Sequence, residues 1–171
     1  MCAERTTPDL SLVIPLYNGS CTIGSLVERI TRVFAFTPFQ IVLVNDGSED
    51  DSEIVCAKLA EKFRESVTFV HLSRNFGEHT AVLAGLSHAR GRYIAVLDDD
   101  GQNPPEEIVP MLQELKRKNL RCCLRSLHRQ TTFMVPQRGE QIQRSYRDVD
   151  AAQTKRPLSL EFQGYGPFPG R

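Results

Sequence analysis

Three consecutive aspartates, Asp98-Asp99-Asp100, followed by Gly101, Gln102 and Asn103, are the part of this 171-residue sequence best equipped for chemistry. In an extended segment residues i and i+2 project to the same side, so Asp98 and Asp100 can share one cation while Asp99 is directed elsewhere. Two hard carboxylate ligands and the amide oxygen of Gln102 leave positions open on Mg²⁺ or Mn²⁺, and Mg²⁺ typically fills such positions with water and substrate phosphates. That is chemistry suited to holding a diphosphate. The plainer alternative is a solvated acidic loop capping the next helix. Against it stand two other polar, turn-forming clusters, Pro15-Leu16-Tyr17-Asn18-Gly19 and Asn45-Asp46-Gly47-Ser48, which also follow apolar runs. Rival ligand motifs fail on spacing. A calcium loop needs a later glycine and an acidic residue where Val109 stands, and neither G-x-G-x-x-G nor G-x-x-x-x-G-K-[ST] occurs.

The apolar runs that precede these clusters predict short buried strands at 10–17, 41–44, 68–72 and 93–97. Between them, Ile23, Leu26, Val27, Ile30, Val33 and Phe34 recur at three and four residues, as do Val55, Leu59 and Phe63, and Val82, Leu86 and Ala89. Such stripes predict amphipathic helices. A fourth helix carries Ile108, Met111, Leu112 and Leu115, with Asn103 as its expected N-cap, Pro104 at the first helical position and Glu106 completing a capping box. The order β-α-β-α-β-α-β-α is that of a mostly parallel α/β sheet with helices on both faces. Right-handed crossovers then bring the polar clusters to one edge, where open α/β sheets bind ligands.

Formal charge is zero, 21 basic against 21 acidic residues, which argues against a nucleic-acid-binding role through bulk charge. The neutrality is a cancellation. Residues 1–120 hold 12 Lys and Arg against 17 Asp and Glu, whereas residues 121–171 hold 9 against 4 and are rich in Gln, Arg, Pro and Gly. Leu120 therefore marks a compositional boundary, with little independent packing expected beyond it. Apolar runs fall far short of the roughly 20 residues that a membrane-spanning helix needs. The five cysteines show no C-x-x-C spacing and the start has no apolar leader stretch, so the expected setting is cytoplasmic.

The blocks VIPLYNGS, IVLVNDGSEDDS and LSRNFGEHTAVLAGLSHARGRYIAVLDDDGQNPPEEI together resemble the N-terminal half of a glycosyltransferase family 2 enzyme of the Rossmann-like GT-A fold, the nucleotide-diphospho-sugar transferase fold. The likeness is to the branch that acts on polyprenyl phosphates, as dolichol-phosphate mannosyltransferases and undecaprenyl-phosphate glycosyltransferases do. The resemblance implies a metal-assisted, inverting transfer from a nucleotide-sugar donor to a polyprenyl-phosphate acceptor, at the inner face of a membrane. It implies that Asp98, Asp100 and Gln102 hold the Mg²⁺ or Mn²⁺ and that Asp99 lies beside the nucleotide. It further implies that Pro15, Tyr17, Val44 and Asp46 line the nucleoside pocket, with Asp46 accepting from a base N–H. Arg74 lies in the matching Arg74-Asn75-Phe76-Gly77 segment, and a cation there would stabilise leaving-group charge.

The sequence departs from the family pattern at Gly19, where many relatives carry an acidic residue, and at Gly101, which replaces the usual leucine. Beyond Asn119 no further strand, acceptor-binding half or membrane helix is legible. That loss predicts an incomplete fold at the C-terminus and a tail read out of frame or from an altered gene end, which translating the other two frames downstream of codon 120 would test. A basic arm for lipid head groups or RNA is the rival reading of the tail. Two function classes follow: a glycosyltransferase, and a non-catalytic nucleotide-sugar-binding fragment or inactive remnant.

Overall fold

The computed structural model describes residues 7–118, 123–127 and 130–136. Four strands, β1 (Leu10–Leu16), β2 (Phe39–Asn45), β3 (Val67–His71) and β4 (Tyr93–Val96), alternate with four helices, α1 (Ile23–Val33), α2 (Ser52–Lys62), α3 (Glu78–His88) and α4 (Ile108–Lys118). Each strand lies within two residues of its predicted bounds. All pairings among these four strands are parallel, with β1 in register against β2 from Leu10↔Phe39 to Leu16↔Asn45 and against β4 from Leu10↔Tyr93 to Val13↔Val96.

The apolar runs are continuous because both sheet faces are covered. On one face Leu10, Leu12, Ile14, Leu16, Ile41 and Leu43 pack with the buried stripes of α1, α2 and α4. On the other, Val13, Val42, Val44, Ile94 and Val96 pack beneath Ala81, Val82 and Leu86 of α3 and Ala89 just after it. Alternate residues of one strand thus serve two separate cores, as the period of two requires. At about 25 cal/mol per Å² of apolar area removed from water, these side chains supply the main drive for folding.

Two features differ from the sequence expectation. Strands β5 (Cys123–Leu127) and β6 (Gln130–Pro136) lie beyond Leu120, where no strand is legible by composition, and complete a six-stranded sheet of order β3-β2-β1-β4-β6-β5. β6 runs antiparallel to β4, from Tyr93↔Pro136 to Val96↔Phe133, and β5 antiparallel to β6. The strand-favouring β-branched and aromatic residues Thr131, Thr132, Phe133 and Val135 are the signal that the surrounding Gln and Arg obscure. The second difference is the start of α4. A 3-10 turn, Pro105–Glu107, precedes it; Pro104 is the capping residue, and no side-chain capping bond forms. Asn103 is not the N-cap, because its amide serves Asp98 instead.

Candidate active site at the C-terminal strand edge

Parallel pairing brings the ends of β1, β2 and β4 side by side, and a lattice of short hydrogen bonds then fixes the loops that leave them. The Asn18 N–H donates to Ser48 Oγ at 2.9 Å, and Asn18 Oδ1 accepts from the Glu49 N–H at 2.9 Å. Asn18 reaches this pose at φ 57°, a left-handed conformation that asparagine tolerates better than most residues. Asp50 accepts from the Ser20 N–H at 3.1 Å and from the Ser52 N–H at 3.0 Å, tying the β1–α1 loop to the start of α2. Burial by itself would raise the Asp50 carboxyl, but the hydrogen bonds from Ser52 and Ser20 overcome it and hold the group well below the usual carboxylate range.

Asp46 is almost fully buried, at 3% exposure, and its two carboxylate oxygens accept from the Phe76 N–H at 2.8 Å and the Gly77 N–H at 2.9 Å. The sequence expectation gave this carboxylate to a base N–H. Its geometry is instead that of an anchor for the segment Arg74–Gly77. Gly47 serves the same approach: it sits at φ 62°, and a Cβ there would strike the backbone of Arg74 and Asn75. The anchored segment is exposed, with the Arg74 guanidinium carbon 4.8 Å from the centre of the Phe76 ring. Tyr17 also faces solvent, at 45% exposure. Pro15 and Val44, expected to line a nucleoside pocket, are buried cross-strand neighbours, and the Val44 side chain belongs to the core beneath α3.

The aspartates follow β4, whose end is fixed by the Leu97 N–H donating to Val13 O at 3.0 Å. Asp98 and Asp99 are half-buried and Asp100 is exposed. Asp98 Oδ2 accepts from Asn103 Nδ2 at 3.1 Å, and Asp100 Oδ1 accepts from the Gln102 N–H at 2.9 Å. Burial, reinforced by the carboxylates of Glu78, Asp100 and Asp99, pushes Asp98 up to about 6, against which the Asn103 amide works. Asp99 is likewise raised, chiefly by burial. Glu78 escaped the sequence reading. It opens α3 directly after Gly77, and its place on the same rim follows from the anchoring of that segment by Asp46.

Like-charged carboxylates gathered in a half-buried site are relieved by a cation, and their oxygens suit a hard divalent ion. Among the described residues no three His, Cys, Asp or Glu side chains are grouped as a ready-made metal cage. The donor set therefore fits an ion that takes most of its oxygens from water and a bound phosphate, the usual habit of Mg²⁺.

A parallel α/β sheet with a polar, acidic rim at its C-terminal strand ends has the arrangement in which open α/β folds bind their ligands. The chain is a member of glycosyl transferase family 2, whose profile matches residues 11–163. It is 40% identical over 114 residues to the dodecaprenyl-phosphate galacturonate synthase of Rhizobium johnstonii, covering 66% of this chain and 34% of that protein. It is also 40% identical over 107 residues to the undecaprenyl-phosphate 4-deoxy-4-formamido-L-arabinose transferase of Klebsiella pneumoniae, covering 61% and 33% respectively. The chain thus spans about a third of the length of these relatives. The fold is the GT-A arrangement. It matches a mannosyltransferase of Pyrobaculum calidifontis in complex with GDP-Man and Mn²⁺ with a TM-score of 0.53 at 22% identity, over 61% of this chain and 31% of that one. S. aureus TarS 1-349 in complex with UDP-GlcNAc gives 0.54 at 21% identity, over 67% and 33%. Among the described residues no helix is long and apolar enough to cross a membrane.

Proposed function

We propose that this chain carries the donor-binding half of a glycosyltransferase that moves a sugar from a nucleotide diphosphate to a polyprenyl phosphate, such as an undecaprenyl or dolichyl phosphate, with inversion. The observation that carries the reading is the acidic rim: Asp98 and Asp100 share the end of β4, at the edge where the β1 and β2 loops converge, in a family 2 chain. The names of the relatives, a dodecaprenyl-phosphate synthase and an undecaprenyl-phosphate transferase, support the acceptor class.

Asp98, Asp100 and the Gln102 amide would hold Mg²⁺ or Mn²⁺, and such an ion, when bound, neutralises charge on the departing nucleoside diphosphate. Asn103 holds the Asp98 carboxylate in place from the side away from solvent. Tyr17 offers an aromatic face at the rim, and Asp99 a carboxylate to the nucleoside. Asp46, with Gly47, sets the segment that presents the Arg74 guanidinium for leaving-group charge. Pro15 and Val44 give the pocket its rigid floor. A phosphate acceptor is already anionic at neutral pH, so positioning rather than a strong base carries the attack. Meeting a lipid acceptor requires an encounter with a membrane surface.

Melting the full chain with UDP, GDP and their sugar conjugates, each with and without Mn²⁺, tests the reading. The expected result is stabilisation only when metal and diphosphate are both present, with the preferred nucleotide naming the donor class. Transfer of labelled sugar to a solvent-extractable polyprenyl phosphate then separates a transferase from a nucleotide-sugar-binding chain. No stabilisation by any nucleotide under any condition would sink the proposal.

A further inference from the structure

Gly19, in the loop between β1 and α1, has no room for a side chain. A Cβ built there runs into Asp99 Oδ2, with Asp99 Cγ at 3.2 Å and Thr22 Oγ1 at 3.6 Å. Backbone conformation is not the reason for glycine at this position. Among the described residues the glycines with positive φ are Gly47, Gly77 and Gly101, so residue 19 has a conformation open to L-residues. Space is the reason, and the Asp99 carboxylate occupies it. Position 19 is also held still: its carbonyl accepts from the Thr22 N–H at 3.2 Å, the Ile23 N–H at 3.1 Å and Thr22 Oγ1 at 3.1 Å, which start α1.

We propose that Gly19 is a positioning residue for the donor site: by lacking a side chain it lets the Asp99 carboxylate lie against the β1–α1 loop, leaving Asp98 and Asp100 to share the cation. The proposal rests on the reading of the rim as a nucleotide-diphosphate site. The atom that a methyl at position 19 meets first is the far end of a side chain, not backbone. The fold therefore survives the substitution and the Asp99 carboxylate moves. Its displacement puts a third negative group in competition for the space between Asp98 and Asp100 and the diphosphate.

The test uses the full chain, Gly19→Ala, Asp99→Ala and the double variant, each titrated calorimetrically with UDP or GDP in the presence of Mn²⁺, and each melted without ligand. Gly19→Ala is expected to weaken binding about tenfold in the native background and less than about twofold in the Asp99→Ala background, the signature of two side chains in direct contact. The ligand-free melts should show the same coupling, with Gly19→Ala lowering the melting temperature only where Asp99 is present. This readout decides if Asp99→Ala alone brings affinity below detection. Equal weakening in both backgrounds, or none in either, overturns the role of Gly19 while the site reading stands. Absence of nucleotide binding by the unaltered chain overturns the site reading and Gly19's role with it.

Discussion

The two edges of the parallel sheet carry buried polar groups of opposite character. At the N-terminal edge, Ser11 Oγ donates to Gln40 Oε1 at 2.8 Å and accepts from the Gly91 N–H at 2.8 Å. Gln40 Oε1 also accepts from the Arg90 N–H at 2.9 Å, while Gln40 Nε2 donates to Thr68 Oγ1 at 3.1 Å and to His88 O at 3.2 Å. The network is neutral and closed, and it pins the turn after α3 to the first residues of three strands. At the C-terminal edge, Asp98 and Asp99 are half-buried and raised by burial and by like-charged neighbours. A closed neutral network adds stability and leaves nothing for a ligand to satisfy. Gathered carboxylates lower stability and create affinity for a cation, the stability–function trade-off expected of an active site.

Replacing Asp98 by Asn should separate these roles most sharply. Loss of a carboxylate ligand is expected to weaken Mn²⁺-dependent nucleotide binding by about 100-fold, equivalent to about 2.7 kcal/mol. The same change removes a half-buried charge that repels its neighbours, so the ligand-free protein should become more stable, by about 1 kcal/mol. Calorimetric titration and a melt of one protein sample check both signs. At the opposite edge, Gln40→Ala leaves the Ser11 hydroxyl without its acceptor and the His88 carbonyl without the Gln40 donor, and should cost about 2–3 kcal/mol in chemical denaturation. Its nucleotide affinity, measured on the fraction that remains folded, should not change. A large change in affinity would mean that the two edges are not independent.

Within the rim, Asp46→Asn turns one of two accepting oxygens into an NH₂ group that faces a backbone N–H. The expected cost is about 1–2 kcal/mol, with faster amide hydrogen exchange at Phe76 and Gly77. Unchanged exchange there would show that the Arg74 segment does not depend on Asp46. Asp50 gives the smallest effect and a pH signature. Its folded-state pKa lies below the unfolded value of 3.8, so its contribution is present above that value and is lost as pH falls through the folded one. The stability difference between the native chain and Asp50→Asn should therefore be about 1 kcal/mol at neutral pH and should shrink below about pH 4.

How much of this was legible beforehand follows from what local patterns can encode. The strands β1 to β4 and all four helices were readable because continuous apolar runs and three-four stripes are properties of a single segment. So was the convergence of the three polar clusters, since right-handed parallel crossovers leave little freedom in where strand ends lie. Partners distant in sequence were not readable. Nothing in the segment around Asp46 announces that its oxygens are taken by Phe76 and Gly77, and Asn103 was assigned to a cap when Asp98 had the stronger claim on its amide. Gly19 looked like a mild loop change, and its meaning emerges only when Asp99 is found in its side-chain space. β5 and β6 were missed for a different reason: their strand-favouring residues form runs too short to stand out from the Gln- and Arg-rich sequence around them.

The most direct test of the acidic rim as a metal–diphosphate site is an electron paramagnetic resonance titration of Mn²⁺ with the full chain, with and without UDP and GDP. The expected result is a loss of free-Mn²⁺ signal in the presence of one nucleotide that exceeds the loss caused by that nucleotide alone, and that disappears in Asp98→Asn. A free-Mn²⁺ signal identical with and without protein, at every nucleotide tried, would contradict it.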